Sequence, residues 1–249
     1  MKWFQSSFLY IYLAVFTLSC NSVFVPSKAE YEDYKITDSL SKDSSLAMLM
    51  KPYKDSVYES MKEVVGIVDF SLERKKPESP LGNFVADAIL YSAKQKFNTH
   101  IDAAFVNHSG IRITTLPKGP VSKENIFELM PFDNALITQQ LKGTQLQEFL
   151  DFIAQEGGWP SAGIKMQIQN KKAVNILIGG KPLVPDNTYT LAYSDFIANG
   201  GDNAVMLISI PQHNIGYLLR DAIFDYIKYL NVEGKNISAQ IENRISHVQ

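Results

Sequence analysis

Apolar residues recur along this chain with two periods, and each period predicts its own kind of element. Leu46, Met50, Tyr53, Val57, Met61 and Val64 fall three to four positions apart, which predicts an amphipathic helix over 46–64, ended by Gly66. Ile67 to Leu72 alternates like a strand. Ser79-Pro80 then predicts a helix start, with Ser as the cap and Pro in the first turn. Leu81, Phe84, Val85, Ala88, Ile89 and Ala93 form its inner face. Asp102 to Asn107 reads as a buried strand. A short amphipathic helix is predicted over 123–129, a strand over 135–141, and a helix capped by Thr144 and running to Gln155. Ile164–Gln169 and Val174–Ile178 predict a hairpin around Asn170-Lys171-Lys172. Tyr189 to Tyr193 is a β-favouring run that starts near Asn187. A final helix is predicted over 215–230, and a last strand near 237–241. Strands and helices mix without strict βαβ alternation, which predicts an α+β fold, a mixed-sheet α/β sandwich.

The N-terminus follows another pattern. Lys2 precedes an apolar run, Phe8 to Leu18, that is short for a membrane span and predicts a signal peptide over 1–19. Ser19 stands before Cys20, the only cysteine, and this junction resembles the lipobox of bacterial lipoproteins. That resemblance implies a lipid-modified Cys20, a membrane anchor, and a place in the bacterial cell envelope facing the periplasm. An ordinary signal peptide is the alternative. Residues 20–43 are polar and read as a tether; residues 44–249 suit one domain. Hydrophobic content of 45% is ample for a core, and a net charge of −2 argues against a nucleic-acid partner.

The chemistry gathers in loops. Ala192 to Asn203 delivers an aromatic ring, Gly200-Gly201 and Asp202 in close succession at a strand end. Glycines permit positive φ and close approach of a ligand, a ring offers a stacking face, and a carboxylate accepts hydroxyls. Three other loops share this character: Asn107-His108-Ser109-Gly110-Ile111-Arg112, Pro131-Phe132-Asp133-Asn134, and Gly157 to Gly163. Each residue also has an ordinary reading. Phe132 and Phe196 suit a core, Arg112 a surface ion pair, and Asp202 a turn. His100, His108, His213 and His247 are scattered, with no metal-ligand spacing. No Gly-x-Ser-x-Gly elbow, Walker loop or Cys/His pair occurs.

These four blocks, in this order, resemble the C-terminal domain of the 5′-nucleotidase and UDP-sugar hydrolase family. That family has an Asn-x-Gly-Gly-Ile-Arg turn, a Pro-Phe-Gly-Asn turn, a glycine loop and a Phe-x-x-x-Gly-Gly-Asp turn. Leu81-Gly82-Asn83, Ala86-Asp87-Ala88 and Ile241-Glu242-Asn243-Arg244-Ile245 also resemble it, so the likeness runs from about Leu46 to the end. It implies a site for a nucleotide or nucleoside. Phe132 and Phe196 would sandwich the base and Asn134 would bond its edge. Asp202 would accept from the ribose, and Arg112 and Arg74 would meet phosphate. Asn107, Gly110, Gly157, Gly200 and Gly201, in the turns, would complete the substrate-binding set. The chain departs from the pattern at Ser109 and Asp133, where glycine is expected, and at Glu78, where a second arginine is expected.

In that family two divalent metals, held by an N-terminal metallophosphoesterase domain, carry out phosphate ester hydrolysis. The segment before the likeness has room only for the signal and tether. The resemblance therefore implies that this chain binds no cofactor of its own. It would serve nucleotide catabolism by recognising substrate for a separate metallophosphoesterase subunit. The alternative is a non-catalytic lipoprotein that binds nucleosides or nucleotides for uptake.

Overall fold

The computed structural model describes residues 28, 30–37, 40, 41 and 43–248. The expected signal peptide and Cys20 lie outside the described residues. The chain divides into two units, Met1–Leu49 and Met50–Gln249. In the first, residues 30–37 are exposed and belong to no helix or strand. The elements described below lie in the second, except that the first helix begins in the first unit.

Helices are α1 (Ser44–Met61), α2 (Pro80–Lys96), α3 (Lys123–Leu129), α4 (Gly143–Gln155), α5 (Asp195–Ala198) and α6 (Leu219–Val232). Strands are β1 (Val64–Val68), β2 (Leu72–Glu73), β3 (Ala103–Phe105), β4 (Thr115–Leu116), β5 (Gly119–Ser122), β6 (Ala135–Lys142), β7 (Ser161–Ala162), β8 (Ile164–Gln169), β9 (Lys172–Ile178), β10 (Lys181–Pro182), β11 (Thr188–Ser194), β12 (Gln212–Leu218) and β13 (Ile245–His247).

The centre is a five-stranded mixed sheet in the order β12-β6-β11-β3-β7. Its period of two sends alternate side chains to opposite faces, and both faces are buried. Ala104, Leu136 and Ala192 point to one side, where they join Phe84, Ile89, Ile223 and Ile227 of α2 and α6. Ala103, Phe105, Ile137, Leu191 and Tyr193 point to the other, against Phe149 and Ile153 of α4 and Ile176 of β9. The four-stranded sheet β10-β9-β8-β13 belongs to this second layer. Phe149 is fully buried and meets Phe105, Trp159 and Tyr193 ring to ring. Truncating such a side chain to alanine costs about 3–5 kcal/mol. The hydroxyl among these rings is satisfied: Tyr193 donates to Gln139 Oε1, whose Nε2 donates to the Ile210 carbonyl at 2.6 Å.

Local signals form as the sequence predicts. Ser79 Oγ accepts from the Gly82 N–H at 3.2 Å and starts α2 with Pro80 at its first position. Asn170 and Lys171, at φ 49° and 61°, make the two-residue turn between β8 and β9.

Five expectations change. Gly66 does not end α1; it lies inside β1, where a Cβ would meet Ile227 Cγ2 at 2.8 Å. The strand expected over 67–72 shifts forward to Val64–Val68, and the apolar stripe of α1 buries none of its residues. Lys142, not Thr144, is the N-cap of α4, with its N–H donating to Gln145 Oε1 at 2.9 Å. The residues expected to open the last helix, Ile215 to Leu218, are strand instead. Leu218 pairs with Ala135 of β6 beyond an irregularity at Ile215–Tyr217, where Gly216 takes φ 73°. The last strand is Ile245–His247, parallel to β8; Ile237 makes only an isolated bridge to Val68. Among the described residues no helix is long and apolar enough to cross a membrane.

Candidate functional site

Sheet register brings the four loops together. β11 runs parallel to β3 and antiparallel to β6, while β7 runs antiparallel to β3. The C-terminal ends of β3 and β11 therefore share one edge with the N-terminal ends of β6 and β7. Asn107–Arg112, Phe196–Asp202, Phe132–Asn134 and Gly157–Pro160 all emerge at that edge. Asp195 ties two of them: its Oδ1 accepts from the Ala135 N–H at 3.1 Å and from its neighbour Phe196 N–H at 2.8 Å.

Both rings sit at the surface. Phe132 is 40% exposed and Phe196 42%, so neither is a core residue. The Arg112 guanidinium lies 5.2 Å from the Phe132 ring centroid, covering one face of it. Such exposed contacts are worth about 0.5–1 kcal/mol. Gly201 lies against Phe196; a Cβ there would stand 2.4 Å from its ring atoms. Gly200, at φ 86°, holds the left-handed conformation that lets the chain turn after α5. Asn134 is half-buried, and its carbonyl accepts from the Leu219 N–H at 2.9 Å.

Asp202 reaches across to the β3 loop. Its Oδ2 accepts from Asn107 Nδ2 at 2.7 Å and from the Ser109 hydroxyl. Asn107 Nδ2 also donates to Ser109 Oγ at 2.8 Å. Gly110 allows this: a Cβ there would meet Asn107 Oδ1 at 2.6 Å. Arg74 braces the same loop, because its Nη1 donates to the carbonyls of His108 and Ile111. A cavity of about 250 Å³ opens beside Asp202, lined by Lys76, His108, Ser109, Glu156, Trp159 and Asn203. Burial, followed by the charges of Arg74 and Lys76, lowers the His108 pKa. Gly157 at φ 80° and Gly158 at φ 99° turn the chain between Glu156 and Trp159; a Cβ on Gly158 would meet the Pro77 carbonyl at 2.6 Å. Another groove, about 650 Å³, lies between α4 and β9, and no charged side chain lines it.

The structure assigns Glu78 a different place from the arginine expected there. It is buried; Oε1 accepts from Asn83 Nδ2 and the Glu242 N–H, each at 2.7 Å, and Oε2 from the Arg244 N–H at 2.8 Å. This carboxylate fastens the closing segment to α2 and offers a phosphate nothing. The sequence reading also missed Arg220, a buried arginine whose Nη1 donates to the Met130 and Phe132 carbonyls at 3.2 and 3.4 Å. No local signal marks it, since its partners lie far back in the chain. Among the described residues no three His, Cys, Asp or Glu side chains are placed to hold a metal ion, so they do not fit a dimetal centre.

Comparisons with known proteins bear on the family and the fold. The family model described as "5′-nucleotidase, C-terminal domain" matches residues 57–209. Protein UshA of Yersinia enterocolitica is 27% identical over 200 residues, covering 77% of this chain and 36% of that protein. The trifunctional nucleotide phosphoesterase YfkN of Bacillus subtilis is 29% identical over 218 residues, 79% of this chain and 14% of its own length. The chain thus spans about a third or less of these relatives. A 5′-nucleotidase precursor from Thermus thermophilus superposes with a TM-score of 0.69 at 25% identity, covering 82% of this chain and 43% of that one. With the fold, the order of the loops and the family match in agreement, this chain belongs to the 5′-nucleotidase C-terminal domain family.

Proposed function

We propose that residues 44–249 recognise a nucleotide or nucleoside for a 5′-nucleotidase-type hydrolase system in the bacterial cell envelope. A lipidated Cys20 tethers the chain to a membrane, and a metallophosphoesterase on a separate chain carries the divalent metals. The observation that supports this most is the shared edge: two half-exposed rings, a carboxylate and a guanidinium emerge together from three separate loops. Phe132 and Phe196 take the two faces of a base and Asn134 its edge. Stacking of this kind is worth about 1–3 kcal/mol per base. Asp202 accepts from the ribose. Arg112 supplies a planar donor fork for phosphate, and Arg74 adds charge while holding the loop that carries Arg112. Orienting the substrate is this chain's share of the reaction. Glu78 favours a second reading, binding of nucleosides for uptake, because it leaves the phosphate side with fewer cations.

The test is affinity purification of the tagged chain from membranes. Co-purification of a metallophosphoesterase, with AMP hydrolysis that needs both chains, supports the first reading. Nucleoside binding with no such partner supports the second.

A further inference from the structure

We propose that the far end of the central sheet holds a second site, which takes a small neutral polyol such as a sugar ring. Leu136, Thr138 and Gln140 are two apart on β6, so all three face the α2 side of the sheet. Leu136 packs into the apolar layer on that side. Beyond it a cavity of about 360 Å³ opens over Thr138, Gln140 and Thr190. Thr190 stands opposite Gln140 on β11, and His213 stands opposite Thr138 on β12. Thr99, between α2 and β3, lines the cavity as well. Gln140 lies five residues from Ala135, about 16–17 Å along the strand from the edge where the four loops emerge. The cavity is therefore separate from the nucleoside site and does not rest on it.

A pair of hydroxyls carries the proposal. Thr138 is 3% exposed and Thr190 8%, yet among the described residues neither hydroxyl has a hydrogen-bond partner. Neither is sealed in. Among the described residues Ser161 Oγ is the one buried side-chain polar atom without a partner, so the two threonine hydroxyls open into the cavity. An unmade hydrogen bond at a buried site costs stability, and valine has the same shape and suits a strand as well. Each hydroxyl can both donate and accept. Gln140 and His213 add an amide and an imidazole, and the buried Phe97 ring packs edge-on against His213 at 5.4 Å. No carboxylate, lysine or arginine lines the cavity. Neutral groups that both donate and accept match a ligand of the same kind, with several adjacent hydroxyls. A charged ligand would find no ion partner there. Water bonds these groups in the free protein, and a polyol replaces it with hydroxyls held in fixed positions.

The experiment is an NMR titration of the full chain, labelled at its threonine methyls, with D-ribose, D-glucose and myo-inositol. At least one of them should shift the Thr138 and Thr190 signals together and saturably, with the millimolar affinity that a few neutral hydrogen bonds to a small ligand allow. The monophosphate of the best binder should bind no more tightly, since no lysine or arginine lines the cavity. Thr138→Val and Thr190→Val keep the side-chain shape and remove one hydroxyl each. Each should weaken binding by about two- to tenfold, read on the threonine that remains. Each should leave the melting temperature unchanged or higher, because no hydrogen bond within the protein is lost. No shift with any of the three polyols, a more tightly bound monophosphate, or unchanged affinity in both valine variants overturns the proposal. A valine variant that unfolds or melts lower also overturns it, since that result assigns the hydroxyls to the fold.

Discussion

Arg220 Nη2 meets Asp133 Oδ1 at 2.5 Å, joining the start of α6 to the turn that carries Phe132. The two partners are unequal. The Arg220 side chain is only 9% exposed and Asp133 is 76% exposed. Arg220 also caps the Met130 and Phe132 carbonyls and lies 4.1 Å over the Phe127 ring. Asp133→Gly, which restores the family residue, should change stability by less than about 1 kcal/mol, as for an exposed pair. Arg220→Leu should cost about 1–3 kcal/mol, because it strands buried carbonyls. Chemical denaturation of both variants checks this; equal losses would show that the ion pair itself, and not the carbonyl bonds, holds the turn.

Phe196→Ala should weaken adenosine and AMP alike by about 1–3 kcal/mol, or roughly five- to 150-fold. The ring is 42% exposed, so its removal should cost less folding energy than a core phenylalanine. Gly201→Ala should have a similar effect on binding, since its methyl would displace the same ring. Titration calorimetry on folded variants measures both. Wild-type affinity in Phe196→Ala would remove this ring from the site.

Arg112→Ala should weaken AMP by about tenfold or more while changing adenosine much less, because the guanidinium's fork suits phosphate. A small loss for adenosine is also expected, as Phe132 loses the cation covering one of its faces. The ratio of the two affinities is the measurement. Equal losses would assign Arg112 to bracing Phe132 alone.

His108 gives the fold a pH dependence of known sign. Its pKa is lowered in the folded chain, by burial first and then by Arg74 and Lys76. An unfolded histidine titrates at about 6.5, so below that pH the unfolded chain binds a proton that the folded imidazole resists. The stability this group contributes is full above that pH and falls as pH drops through it. The melting temperature should fall between pH 7.5 and 5.5, and His108→Asn should flatten that fall (both pH values lie about one unit from the ordinary histidine pKa). Parallel pH profiles for the two proteins would remove His108 as the cause.

Much of this molecule is written locally. The Ser79-Pro80 start of α2, the short helix α3 and the Asn170-Lys171 turn each depend on residues a few positions apart, and all form as the sequence predicts. The order of the four loop motifs is likewise a property of the chain alone, and it was enough to indicate the family. Partners distant in sequence are another matter. Gly66 reads as a helix stop until Ile227 and Ile237 pack against it. Ile215 to Leu218 have apolar spacing that suits a helix, yet they continue β12, which pairs with β6 through Gln212–Asn214 and Leu218. Glu78 and Arg220 look like ordinary surface charges in sequence. One is consumed by backbone N–H groups of the closing segment, and the other by carbonyls of the Phe132 turn. Caps, turns and periodicity are decided by bonds between near neighbours, so the sequence alone determined them. Edge pairing, the burial of a charge and the meeting of Asn107 and Ser109 with Asp202 depend on which distant groups arrive at the same place. Only the tertiary structure decided those, because a hydrogen bond between residues far apart in the chain leaves no periodic trace in it.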